Sequence, residues 1–169
     1  MKVKVTGKQP NSQDCFVCGL SNSFGLKSRF YELENGELMA RFFPADMHQS
    51  YPGRLHGGIS AAILDETIGR AVINHQRTDL WGVTLEFSMR FRKPVPLDQE
   101  VVVRARITAE NKRTFEGTGE IVLSDGSVAV EGKGRYLKME LSSITDFDFE
   151  GEQWQVIEQD DDPLEVDVL

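Results

Sequence analysis

The residues best placed to do chemistry lie in one stretch, His56-Gly57-Gly58 followed by Asp65. A glycine pair opening a helix leaves backbone N–H groups without intrahelical partners, aimed at whatever lies beyond the terminus. With no side chains in the way, an oxyanion can approach those amides closely, as transition-state stabilisation requires; close packing would use the same glycines. Asp65 is sharper. Its neighbours on one helix face are Gly58, Ala61, Ala62, Ile68, Gly69 and Val72, so no basic residue stands three or four positions away to neutralise it. Glu66, in contrast, has Arg70 four residues on and is explained as a helix ion pair. The carboxylate expected to act chemically is therefore Asp65.

Spacing then constrains assembly. Asp65 follows Gly58 by seven residues, which at ~1.5 Å per residue separates them by about 10 Å. One reacting carbonyl cannot easily touch both. If the glycine amides hold its oxygen while a carboxylate attacks or directs water at its carbon, the carboxylate comes from a second copy, and the site lies across a homodimer interface.

The element that positions these groups is a helix running from His56 to about Asn74, with Ile59, Ile63, Leu64, Ile68, Ala71 and Val72 at three- and four-residue intervals. They cover most of its circumference, so the helix should be wrapped by sheet. Around it the pattern is β. A hairpin is expected from Leu26 through Glu34-Asn35-Gly36-Glu37 to Phe43, with asparagine-glycine turn chemistry. The clearest strand places Val83, Leu85, Phe87, Met89 and Phe91 on one face and Thr84, Glu86, Ser88, Arg90 and Arg92 on the other, in strict alternation. Further strands are expected at 100–108, 114–123 and 127–138, and the alternate glycines Gly117, Gly119, Gly132 and Gly134 suggest sharp sheet curvature around the helix. Residues 1–25 read as an N-terminal arm and loop, 26–141 as the folded domain, and 142–169 as a mobile acidic tail.

With 169 residues and a formal net charge of -8, the chain suffices for one cored domain and is a poor partner for nucleic acid or anionic membrane. No stretch approaches the ~18 apolar residues of a spanning helix and the start lacks a secretory pattern, so a cytoplasmic location is expected. Cys15-Phe16-Val17-Cys18 has no second pair and precedes turn-like residues, so it reads as an inert packed loop, with no metal expected.

His56-Gly57-Gly58, an acid nine positions after the histidine, Thr84 at a strand start and Arg92-Lys93-Pro94-Val95 together resemble the PaaI-like (4-hydroxybenzoyl-CoA thioesterase-type) hotdog-fold acyl-CoA thioesterases, over roughly Cys15 to Lys138. The resemblance implies an α+β hotdog fold, a curved antiparallel sheet of about five or six strands around one long central helix. It implies hydrolysis of an acyl-CoA to free acid and CoA, with Asp65 as nucleophile or general base and the Gly57 or Gly58 amide polarising the carbonyl. His56 would support the helix entrance, and Thr84 would help position water or the carboxylate. Gln49 and Ser50, where many relatives place asparagine, would border the substrate. Arg90, Arg92, Lys93, Lys112 and Arg113 would meet the CoA phosphates. CoA is part of the substrate, so no cofactor is expected; the partners expected are acyl-CoA and a second copy, with dimers pairing into a tetramer. The alternative is a non-catalytic acyl-CoA-binding or regulatory hotdog protein, against which retention of His56, Gly57, Gly58, Asp65 and Thr84 argues.

Overall fold

A computed structural model describes residues 2–73, 79–146 and 154–167. In chain order the strands are β1 (Lys2–Lys8), β2 (Arg29–Leu33), β3 (Leu38–Phe42), β4 (Leu80–Phe91), β5 (Val101–Glu110), β6 (Thr114–Val122), β7 (Val128–Glu140) and β8 (Glu165–Asp167). One long helix, α1 (Gly57–Arg70), lies between β3 and β4, and a single turn, α2 (Leu141–Ile144), follows β7. All eight strands join one antiparallel sheet in the order β4-β7-β6-β5-β3-β2-β1-β8.

α1 packs across β3 to β7. Its Ile63, Leu64 and Ile68 are wholly buried, the first two against Phe30, Ala40, Val103 and Ile121, the third against Phe115 and Tyr136. The helix lies closely on the sheet because glycines stand in place of side chains beneath Ile68 and Leu64. A Cβ at Gly117 would come 2.6 Å from Ile68 Cγ2, and one at Gly119 2.9 Å from Ile68 Cγ1. The alternate glycines thus make room for the helix. Gly134 instead makes room for a neighbour on its own strand, since a Cβ there would stand 2.5 Å from the Tyr136 hydroxyl.

The structure corrects three expectations. The sheet has eight strands, more than the five or six expected. The additional ones come from segments read as arm and tail: β1 pairs with β2 on one side and β8 on the other. The alternation of Lys2-Val3-Lys4-Val5 was a strand signal, and Val3 and Val5 join Tyr31, Leu33, Met39 and Val166 in a small cluster of their own. Second, residues 154–167 are docked, because their acids find buried or half-buried cations. Asp161 makes a two-pronged bridge to Arg29 (2.6 and 2.9 Å), and Asp162 accepts from Lys8 Nζ (2.6 Å) and the Tyr31 hydroxyl (2.5 Å). Residues 74–78, and residues 147–153 of the expected tail, lie outside the described residues. Third, α1 ends at Arg70, with Ala71 as its cap.

Candidate active site

β4 is the edge of the sheet and carries an irregularity that matters to the site. Its register against β7 shifts between Thr84, opposite Tyr136, and Glu86, opposite Arg135, leaving Leu85 as an extra residue. Such a bulge inverts the alternation of the strand on one side of it. Phe87 and Met89 pack into the core beyond the bulge, while before it Gly82 and Thr84 face α1. Strict alternation would have turned Thr84 to the opposite face from Phe87. The bulge brings it to Asp65 instead.

There Thr84 Oγ1 stands 2.9 and 3.1 Å from the two carboxylate oxygens of Asp65. A second hydroxyl grips the same group: Tyr136 donates to Asp65 Oδ1 at 3.0 Å and also lies 3.2 Å from the Asp65 backbone oxygen. Thr84 and Tyr136 oppose one another across the β4–β7 pair, so two neighbouring strands present two donors to one helix residue. The Tyr136 ring is wholly buried and stacks on Phe115 at 5.0 Å between centroids. Burial pushes the phenol above its ordinary range and the Asp65 charge adds to that, so the hydroxyl keeps its proton and serves as a donor. Among the described residues Asp65 has no ion pair, whereas Glu66 is bound to Arg70 at 2.9 Å, as their spacing requires. Asp65 is therefore a half-buried carboxylate oriented by two neutral hydroxyls, its second oxygen touched among the described residues by Thr84 alone.

At the other end of the site, His56 is the N-cap of α1, and its Nδ1 accepts from the Gly58 N–H at 2.9 Å. The bond needs an unprotonated Nδ1 and occupies the Gly58 amide. The amides of Ile59 and Ser60 are taken by the His56 backbone oxygen. Among the described residues the Gly57 N–H has no partner. Beside it a cleft of about 370 Å³ is walled by Tyr51, Leu55, Phe91, Val95 and Val130, with Ser60 at its base and Arg54, Arg92 and Lys93 at its margin. Ser50 borders the same cleft. Gln49 is occupied in the preceding loop, where its Oε1 accepts from the Gly53 N–H at 2.7 Å.

The five expected CoA-binding cations do not form one cluster within a chain. Arg92 and Lys93 bond through their amides to Ala129 O, near the start of β7, whereas Arg113 O accepts from Lys138 near its end; nine residues at ~3.4 Å put the groups about 30 Å apart. Arg92 is bridged to Glu131 at 2.8 Å, and Arg90 borders a shallow groove that also includes Glu131 and Glu120. Tyr136 was not anticipated from the sequence. The available signal was a tyrosine among alternate glycines, Gly132-Lys133-Gly134-Arg135-Tyr136, where the missing Cβ at 134 leaves space for the ring.

A family model of the thioesterase superfamily matches residues 52–130, the segment that holds His56, Gly57, Asp65 and Thr84. The fold is the hotdog fold of thioesterase superfamily proteins. Similar to the chain is the mouse acyl-coenzyme A thioesterase THEM4, 22% identical over 135 residues that make up 79% of this chain and 57% of that protein. Among solved structures, one thioesterase superfamily protein has a TM-score of 0.64 at 26% identity, over 74% of this chain and 60% of that one. The PaaI protein of the E. coli phenylacetic acid degradation operon shares the fold, with a TM-score of 0.60 at 16% identity over 68% of this chain and 80% of that one. The chain thus spans less than two thirds of the length of the mouse relative and of the first of these structures. Among the described residues no helix is long and apolar enough to cross a membrane.

Proposed function

We propose that the protein hydrolyses an acyl-CoA thioester to a carboxylic acid and CoA. The observation that carries this reading is the Asp65 carboxylate, aimed by Thr84 and Tyr136 and, among the described residues, left without a cation. A carboxylate spent on stability would be expected to have an ion-pair partner, as Glu66 does. Asp65 either attacks the thioester carbon, forming an anhydride that water then opens, or takes a proton from a water that attacks. In both routes the developing oxyanion needs a donor. Because His56 occupies the Gly58 amide, the donor is the Gly57 N–H. His56 acts through the backbone, holding the first turn so that this amide faces the cleft.

Gly57 and Asp65 of one chain lie too far apart to meet one carbonyl, since α1 is regular from Gly57 to Arg70. The site is completed by a second copy across β4. That strand is 12 residues long, lies at the sheet edge and exposes Leu85 (47%) and Phe91 (58%). Bare edges of this length invite pairing. A Cβ on Gly57 would lie 3.4 Å from the Phe91 ring, so the oxyanion amide belongs to the Phe91 end of β4 and Asp65 to the Thr84 end. Antiparallel pairing of two β4 strands about a two-fold near Phe87 and Ser88 brings the Thr84 end of one copy onto the Phe91 end of the other. It also brings Lys112 and Arg113 of one chain toward Arg92 and Lys93 of its partner, reuniting cations that lie apart within a chain.

Release of CoA thiol, followed with a disulfide chromogen over aromatic, short and long acyl-CoAs, tests the reading. Turnover abolished by Asp65→Asn is expected; equal turnover by that variant would overturn the assignment.

A further inference from the structure

Away from Asp65, Cys15, Cys18 and Glu66 form the densest group of reactive side chains among the described residues, their sulfur and oxygen atoms all within 4.8 Å of one another. The cysteines flank a tight turn closed by the Gly19 N–H on Cys15 O at 2.8 Å. That turn rests on α1: Cys15 Sγ is 3.4 Å from Glu66 Oε2, and Arg70 Nη2 donates to Cys18 Sγ at 3.1 Å. The two sulfurs are unlike. Cys18 is wholly buried and Cys15 half-buried. The backbone N–H groups of Val17 and Cys18 both point at Cys15 Sγ, at 3.4 and 3.5 Å.

These donors favour negative charge on Cys15. A hydrogen bond from the Cys18 thiol is the largest influence lowering the Cys15 thiol to about 7, against burial and the Glu66 carboxylate. Giving that hydrogen bond, and its own burial, push Cys18 upward, so it keeps its proton. A half-exposed thiolate beside a buried thiol is the arrangement in which one sulfur attacks and the other resolves.

A resident metal fits the cluster less well. Tetrahedral zinc needs a fourth ligand, and the remaining side is filled by the Arg70 guanidinium. That group is fixed by Glu66 Oε1 (2.9 Å), Pro10 O (3.0 Å) and the Phe30 ring face (4.3 Å), so a divalent ion would meet a buried positive charge.

We infer that Cys15 and Cys18 form a hydroperoxide-reactive dithiol on the back of the helix that carries Asp65, with Cys15 attacking and Cys18 resolving. The Cys15 thiolate attacks the terminal oxygen of a hydroperoxide, the O–O bond breaks, and the departing alkoxide or hydroxide takes a proton from solvent, leaving Cys15 as a sulfenic acid. Cys18 then loses its proton and displaces the sulfenic oxygen as water, closing the disulfide. The two sulfurs give up two electrons and the peroxide becomes an alcohol, or water, plus one further water. Closing the bridge removes the Cys15 contact with Glu66 and weakens that of Cys18 with Arg70, so the event is felt on α1, beside Asp65. The reactivity stands whether or not Asp65 hydrolyses thioesters.

The test uses the full chain, reduced, desalted and exposed to hydrogen peroxide, then quenched by alkylation and mapped by mass spectrometry. Expected are the loss of both free thiols together and the loss of two hydrogens from the peptide holding Cys15 and Cys18. In Cys18→Ser, dimedone should trap a sulfenic acid on Cys15, and in Cys15→Ser the remaining Cys18 should stay unmodified, with circular dichroism verifying that both variants fold. Alkylation of Cys15 in the unmutated protein should rise through a midpoint near pH 7, and Glu66→Gln should move that midpoint lower. Both cysteines remaining thiols under peroxide that oxidises glutathione would overturn the inference. So would oxidation of Cys18 ahead of Cys15, or one zinc retained per chain through purification.

Discussion

Replacing Tyr136 by phenylalanine isolates the hydroxyl that aims Asp65. The ring is wholly buried and stacked on Phe115, so phenylalanine fills the same volume and keeps the stacking. What disappears is a donor 3.0 Å from Asp65 Oδ1 and 3.2 Å from the Asp65 backbone oxygen. Hydrogen bonds to a charged group are worth about 1.5–3 kcal/mol, and a tenfold rate change corresponds to about 1.4 kcal/mol. A carboxylate left to Thr84 alone should lower kcat by about 10- to 100-fold. KM should stay within about twofold, since Tyr136 acts through Asp65 and touches no substrate. Thr84→Val should act similarly. The double variant should lose much less than the product of the two losses, because both hydroxyls serve one carboxylate. Steady-state thiol release over a range of acyl-CoA concentrations, with thermal melts to verify folding, supplies the numbers. Unchanged kcat in a folded Tyr136→Phe protein, or a loss confined to KM, would refute the claim that Tyr136 positions the reacting group.

Two further outcomes follow from packing and charge. Gly117→Ala places a Cβ 2.6 Å from Ile68 Cγ2 and 3.0 Å from the Arg106 backbone oxygen, which should destabilise the protein by about 1–3 kcal/mol in urea denaturation; stability within error of the parent would show that the helix can lift away. Asp161 is held down to about 2 by its hydrogen bonds with Arg29, below its ordinary 3.8. A depressed carboxylate contributes stability above its unfolded pKa and loses it as pH falls through the folded one. Docking of residues 154–167 should therefore weaken between about pH 4 and pH 2, seen as a change in Trp154 fluorescence, and Arg29→Ala should move that change toward pH 4.

Much of the site's layout was legible because it is local. His56, Gly57, Gly58 and Asp65 sit on one helix whose spacing fixes what can meet what, and the same spacing identified Glu66 as the partner of Arg70. Thr84 and Tyr136 depend on non-local facts. A bulge at Leu85 inverts the face of β4, and nothing in the alternating pattern marks it. Tyr136 lies 71 residues from Asp65 and reaches it only through the register of β7. The termini were misread for a related reason: β1 and β8 are stabilised by one another and by pairs such as Lys8 with Asp162, which a local reading sees only as scattered charge. Similarly, Cys15 and Cys18 look inert as a turn and acquire chemistry only where Glu66 and Arg70 face them.

In the proposed dimer each site takes its amide from one chain and its carboxylate from the other. Gly57→Pro removes the amide alone: proline is tolerated at the first helical position, and His56 already has the extended backbone (φ -64, ψ 134) that a following proline demands. Gly57→Pro and Asp65→Asn should each be nearly inactive. Unfolded together in equal amounts and refolded, they should recover about a quarter of the parent activity, since half the dimers are mixed and each mixed dimer holds one intact site. A refolded mixture no more active than its separate components would contradict the account, because a site contained in one chain would be broken in every molecule.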